Sequence, residues 1–291
     1  MFTQNELEQF QQDGYIIVRG LANPTEVSAM KAIAEQALVV APGALPPATL
    51  VEPFAAALPC TSVAPGVLPP ATLVRPCTSE NTAPVEYEAD LHYPGAPPSR
   101  EAPGGRTARR LLQAYARDPV YQSWATKPVV VENLRQLLGT HIVLSQAHHN
   151  CIMTKQPRFS SDTLWHQDIR YWSFERPELV SVWLALGPES PENGGLYVLP
   201  GTHAMSFAPL RLDEAQFLRT DLAENQALIA TKFPVGLAAG DVLFFHCRTL
   251  HAAGRNQTDQ TKFSVVFTYH AADNHPLPGT RSEVTPEIAL S

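Results

Sequence analysis

The residues best suited to chemistry are His166 and Asp168, in the run Leu164-Trp165-His166-Gln167-Asp168-Ile169-Arg170. On an extended strand, residues two apart point to the same face. An imidazole and a carboxylate in that relation can approach one metal ion from one side. One more imidazole would complete the two-histidine, one-carboxylate set of non-haem Fe(II) oxygenases, which leaves coordination positions open. A lone His-x-Asp is a weak signal, because two polar residues on a solvated strand give the same pattern. Two downstream histidines can supply the third ligand, His246 and His251.

The company of the pair is more specific. Gly194-Gly195-Leu196-Tyr197-Val198-Leu199-Pro200-Gly201-Thr202-His203 follows it, then Ala239-Gly240-Asp241-Val242-Leu243-Phe244-Phe245-His246, then Leu250-His251-Ala252-Ala253-Gly254-Arg255-Asn256. In this order the segments resemble the phytanoyl-CoA dioxygenase family over about Gln146 to Ala271. The resemblance implies an Fe(II)- and 2-oxoglutarate-dependent dioxygenase. Such an enzyme uses O2, releases succinate and CO2, and hydroxylates a small molecule. It implies His166, Asp168 and His251 as the metal ligands, with His246 packing nearby. Relatives that halogenate replace the carboxylate with a small residue, so Asp168 favours hydroxylation.

The resemblance also marks cosubstrate positions. An arginine usually stands eleven residues after the distal histidine, but here that position is Lys262. Lysine keeps the charge and loses the bidentate fork. Either Lys262 anchors the far carboxylate through one point, or another cation such as Arg255 does. Trp183 and Cys151 match or lie near positions that touch the cosubstrate. Gln146, His148, His149 and Asn150 are read as pocket lining, with His149 and Cys151 on the opposite strand face from the other three. Arg170 continues the parity of His166 and Asp168 and would meet an anionic group of the substrate. Lys155 and Arg158, in a loop before the motif, would add positive charge. The Lys262 departure also suits a second reading, a non-catalytic jelly roll that retains a metal.

These residues need a frame. Thr3-x-x-Glu6 is a capping box for a first helix that stops at Gly14. Tyr15-Ile16-Ile17-Val18 then reads as a strand. Val27, Met30, Ile33 and Ala34 give a second helix from Pro24 to about Val39. Residues 40–105 read as a Pro-rich loop insertion. Within it, Val40 to Pro53 recurs at 63–76, and Pro-Cys-Thr-Ser closes both copies. Two copies are too few for a solenoid, and the prolines disfavour helix and central strand. Helices are predicted over 106–125 and 129–138. Strands are predicted over 141–154, 163–168, 179–186, 196–199, 242–246 and 261–270. Short strands between turns suggest a sandwich or barrel. With the resemblance, the expectation for residues 1–291 is one domain, mainly β with flanking helices. Its core would be a cupin-like double-stranded β-helix, or jelly roll, covered by the N-terminal helices.

Bulk properties narrow the partners. Twenty-one basic against 28 acidic residues give a net charge of -7, with no basic cluster to engage nucleic acid. No apolar run is long enough to span a bilayer, and no secretory signal pattern opens the chain. Cys60, Cys77, Cys151 and Cys247 form no CxxC pair, which argues against a cysteine zinc site and suits reduced thiols in the cytoplasm. Oligomeric state is left open.

Overall fold

The computed structural model describes residues 1–40, 83–91 and 93–290. The duplicated Pro-rich stretch lies outside the described residues, apart from Val40, which ends a helix. In chain order the elements are α1 (Gln4–Asp13), β1 (Tyr15–Val18), α2 (Pro24–Val40), β2 (Val85–Tyr87), β3 (Ala108–Leu112), α3 (Ala114–Arg117), α4 (Pro119–Ala125) and α5 (Pro128–Leu138). Then come β4 (Ile142–Lys155), β5 (Thr163–His166), β6 (Leu179–Ala185), β7 (Leu196–Val198), α6 (Ala223–Ile229) and β8 (Phe233–Pro234). The last are β9 (Val242–His246), β10 (His251–Ala253), β11 (Lys262–Ala271), α7 (Arg281–Val284) and β12 (Ile288–Leu290).

The strands form two sheets. One has eight strands, in the order β1-β9-β6-β11-β4-β3-β2, with β12 also pairing β4. The other has four, in the order β5-β10-β7-β8. Every strand pairing among the described residues is antiparallel. This is the jelly-roll core. Period-two alternation divides its side chains. Leu243, Phe245, Trp183 and Val266 face the smaller sheet and meet Leu196 and Val198 between the layers. Phe244, Val182, Val265 and Phe267 face the other way and pack beneath the helices with Phe10, Met30, Trp124 and Leu134. Two buried phenols lock that helical layer. The hydroxyl of Tyr121 donates to the Met30 carbonyl at 2.6 Å, and that of Tyr269 donates to the Ala125 carbonyl at 2.8 Å.

The N-terminal motifs behave as the sequence suggests. Thr3 and Glu6 cap α1 reciprocally, and Gly14 ends it at a φ of 80°. Two expectations need correcting. Residues 106–125 are not one helix, because 108–112 form β3, which pairs Arg110 with Met153 and Leu111 with Ile152 on β4. Gln113 then breaks the chain at a φ of 56° before α3. The apparent helical face of Leu111, Leu112, Tyr115 and Ala116 is shared between a strand and a short helix. Residues 83–105 are not all loop either. Strand β2 pairs with β3, and Glu88, in the 3-10 turn after β2, is fully buried.

Candidate metal centre

The centre forms where β5 and β10 pair. His166 and His251 are direct partners in that ladder, so their imidazoles lie side by side with ring centroids 4.3 Å apart. The Pro200-Gly201-Thr202 run fixes the approach to His251. Thr202 Oγ1 accepts the Leu250 N–H at 2.9 Å and donates to the Leu199 carbonyl at 2.7 Å. Asp168 arrives differently from the sequence expectation. Strand β5 stops at His166, and Asp168 begins a 3-10 turn over 168–171. The Gln167 amide ties this turn to the Arg248 carbonyl, and the Ile169 N–H donates to the Cys247 carbonyl at 2.9 Å. The turn, not strand parity, carries the carboxylate back to the imidazoles. One ligand atom each from His166, Asp168 and His251 lies within 4.8 Å of the others, and all three residues are buried.

The hydrogen bonds test whether a cation fits. Nδ1 of His166 lies 2.8 Å from the Leu164 carbonyl, and Nδ1 of His251 lies 3.0 Å from the Thr249 carbonyl. A carbonyl only accepts, so both Nδ1 atoms carry the proton and both Nε2 atoms present lone pairs. Those two Nε2 atoms each stand 3.4 Å from Asp168 Oδ1. Neither Asp168 oxygen has a hydrogen-bond partner of good geometry. Lone pairs facing a bare buried carboxylate repel one another unless a cation lies among them, so the donor set fits a divalent metal. Burial, against the attraction of Asp168, pushes His251 down to about 4, which keeps its imidazole neutral at neutral pH. For Asp168 burial works upward, but the adjacent His149 outweighs it and holds the carboxyl well below the usual range.

His149 is a group whose role the sequence did not reveal. The β4–β11 register jumps from Phe267↔Asn150 to Thr268↔Ser145, so residues 146–149 bulge out of the ladder. The bulge cancels the predicted alternation. His149 turns its Nδ1 to 3.2 Å from Asp168 Oδ2, and His148 stacks on Tyr171 at 3.8 Å. Gln146 and Asn150 hold each other and nearby backbone. A group that holds a ligating carboxylate typically sets metal affinity by about 10–100-fold. His149→Leu is therefore expected to weaken Fe(II) binding by about that factor, and His149→Asn to restore part of it. Anaerobic Fe(II) titration measures both, and unchanged affinity in His149→Leu would remove His149 from the centre.

The triad opens on a cavity lined also by Arg109, Arg110, His149, Met153, Lys155, Trp183, Leu196 and Lys262. On its wall, Lys262 Nζ lies 3.2 Å from Glu189 Oε2 and 2.7 Å from Ser264 Oγ. The indole N–H of Trp183 donates to both Glu189 oxygens at 3.2 Å. A buried ammonium beside a hydroxyl suits a carboxylate. Arg255 turns away, donating to the Ser160 and Arg158 carbonyls. Cys151 is not on the cavity wall. It packs between the sheets, and burial pushes its thiol up to about 12. Arg170 is not on the wall either. With β5 ended, its guanidinium stacks 4.0 Å over Phe217, and its buried Nη1 has no partner. His246 packs against Phe10 and His203, and its Nδ1 accepts the Arg248 N–H at 3.1 Å.

The phytanoyl-CoA dioxygenase (PhyH) family model matches residues 10–264. Human peroxisomal phytanoyl-CoA dioxygenase is 28% identical over 185 residues, 59% of this chain and 53% of that protein. Ectoine dioxygenase of Streptomyces coelicolor is 24% identical over 192 residues, 59% of this chain and 62% of that one. The chain spans about half the length of the first curated relatives it matches. Among solved structures, EctD from S. alaskensis with 2-oxoglutarate and 5-hydroxyectoine superposes with a TM-score of 0.67 at 18% identity, covering 95% of this chain and 78% of that one. The alpha-ketoglutarate-dependent epimerase SnoN from nogalamycin biosynthesis gives 0.65, also at 18% identity, covering 95% and 84%. These two share the fold.

Proposed function

Because the chain belongs to the phytanoyl-CoA dioxygenase family, we propose that it is an Fe(II)- and 2-oxoglutarate-dependent oxygenase that hydroxylates a small or medium-sized anionic metabolite. The observation that carries this reading is the convergence of two imidazole lone pairs and an unsatisfied carboxylate on one buried point. His166, Asp168 and His251 would hold the metal, a donor set that suits Fe(II). When bound, the iron with its 2-oxo acid supplies the oxidising power, with succinate and CO2 as coproducts.

The protein's own part is to bind, orient and exclude. The carbonyls of Leu164 and Thr249 fix the tautomers of the two histidines, and His149 orients Asp168. Lys262 offers an ammonium to the far carboxylate of the cosubstrate. Met153, Leu196 and Ala253 give the cavity an apolar wall that keeps water from the reacting centre. The cationic side chains on the cavity wall, Arg109, Arg110, Lys155 and Lys262, support an anionic group on the substrate. The named relatives act on different compounds, so none of their substrates is transferred.

Wild-type protein incubated aerobically with Fe(II) and 2-oxoglutarate is expected to release succinate slowly without any substrate. A metabolite library then identifies the substrate by a mass gain of one oxygen that requires 2-oxoglutarate. Absence of succinate release, together with absence of Fe(II)-dependent 2-oxoglutarate binding, would sink the reading.

A further inference from the structure

Four cationic side chains line the cavity, and Arg109, Arg110 and Lys262 are ion-paired with Glu88, Glu86 and Glu189, whereas Lys155 is not. Lys155 and Lys262 are direct partners across the antiparallel β4–β11 ladder, so both side chains leave the same face. Both residues are buried, 5% and 4% exposed, and both line the cavity. Like charges directly opposed in a ladder are destabilising, and more so without water. Lys262 has Glu189 as its partner. Among the described residues Lys155 has no carboxylate within ion-pair distance and donates only to the Ser161 carbonyl. The nearby Arg109 and Glu88 pair with each other. Burial, with Arg109 and Lys262 adding to it, pushes Lys155 down to about 7. Gly194 leaves room for the Lys155 stem, since a Cβ there would come 3.1 Å from its Cγ.

Glu189 cannot easily serve both lysines. Its backbone is bridged to Leu237 in both directions, at 2.8 and 3.0 Å. Its carboxylate is already held by Trp183, Lys262 and Ser264. Swinging it away would leave the buried indole N–H unpaired, which is costly. An incoming carboxylate therefore meets a resident one.

We propose that Lys155 and Lys262 together receive the far carboxylate of the 2-oxo acid, while Glu189 stays as counter-ion and sets the charge the site accepts. The site then takes one negative charge and no more. This rests on the oxygenase reading above and deepens it. It also gives the lysine at 262 a reason: two point charges, one of them paired with Glu189, replace one bidentate fork.

The test is equilibrium calorimetry on Fe(II)-loaded protein under anaerobic conditions. The two ligands are 2-oxoglutarate and 2-oxobutyrate, which keeps the chelating end and lacks the far carboxylate. Lys155→Met is expected to weaken 2-oxoglutarate by about ten- to a hundredfold and to leave 2-oxobutyrate unchanged, which also shows that the variant is folded. Glu189→Gln removes the competing charge and is expected to tighten 2-oxoglutarate about tenfold, again without effect on 2-oxobutyrate. Wild-type affinity for 2-oxoglutarate in Lys155→Met overturns the proposal. If Lys155→Met binds neither acid, Glu189→Gln decides: selective tightening supports the proposal, and no change overturns it. If wild type binds 2-oxobutyrate and not 2-oxoglutarate, the two-lysine anchor falls and 2-oxo acid chemistry stands. If wild type binds neither, both fall.

Discussion

His251→Ala is expected to eliminate Fe(II)-dependent succinate release, whereas His246→Ala is expected to leave it close to wild type. Nε2 of His251 points at Asp168 Oδ1 with its lone pair free, because Nδ1 is engaged by the Thr249 carbonyl. Alanine leaves one imidazole and one carboxylate, too few to hold a labile divalent ion against solvent. The loss should exceed the roughly 10–100-fold caused by disturbing a group behind a ligand. His246 lies only five residues earlier, yet it sits on the helical side of its strand, among Phe10 and His203. Fe(II) affinity and succinate release measured on both variants separate the two histidines. Retained activity in His251→Ala would refute the triad.

Glu88→Ala is expected to cost about 3–5 kcal/mol of stability, because it leaves a buried guanidinium without its partner. Arg109 and Glu88 are 2% and 0% exposed, and Arg109 Nη1 stands 3.1 Å from Glu88 Oε2. The same guanidinium donates to Ser161 Oγ at 2.6 Å and to Thr163 Oγ1 at 2.7 Å. Thr163 opens the strand that carries His166, so the pair clamps β3 to the metal-bearing strand. Replacing both partners with apolar residues, Arg109→Met with Glu88→Leu, should cost less than the single change, since no charge is then stranded. Urea denaturation of the three variants provides the comparison. A Glu88→Ala cost below about 1 kcal/mol would mean that water reaches Arg109.

The sequence made the metal motif legible because ligand chemistry restricts residue type. Histidine and aspartate at 166, 168 and 251 leave few other readings once the glycine and proline turns around them are in order. The apolar runs from Val242 to Phe245 and from Leu179 to Leu186 likewise marked two strands of the sheet. Local pattern failed where a distant partner decided the outcome. Asp168 was placed on a strand, and the tie from Gln167 to the Arg248 carbonyl instead turns the chain there. His149 does not stand out among its three polar neighbours, because a bulge, set by register with β11, has no signature of its own. Lys155 looked like a loop residue, and only the ladder reveals that it stands opposite Lys262. Strand β3 reads as helix until the edge of β4 is there to pair with it.

Among the described residues the larger sheet ends in β1 on one side and β2 on the other, of four and three residues. A sheet border is a row of unpaired amides and carbonyls that another molecule can extend. Without β1 that border would be β9, whose Val242-Leu243-Phe244-Phe245 is apolar on both faces, a sequence type prone to cross-molecular pairing. The N-terminal strand, far from His166, Asp168 and His251 in sequence, thus acts as a stopper: by pairing with β9 it covers that apolar margin and leaves a border of only four residues.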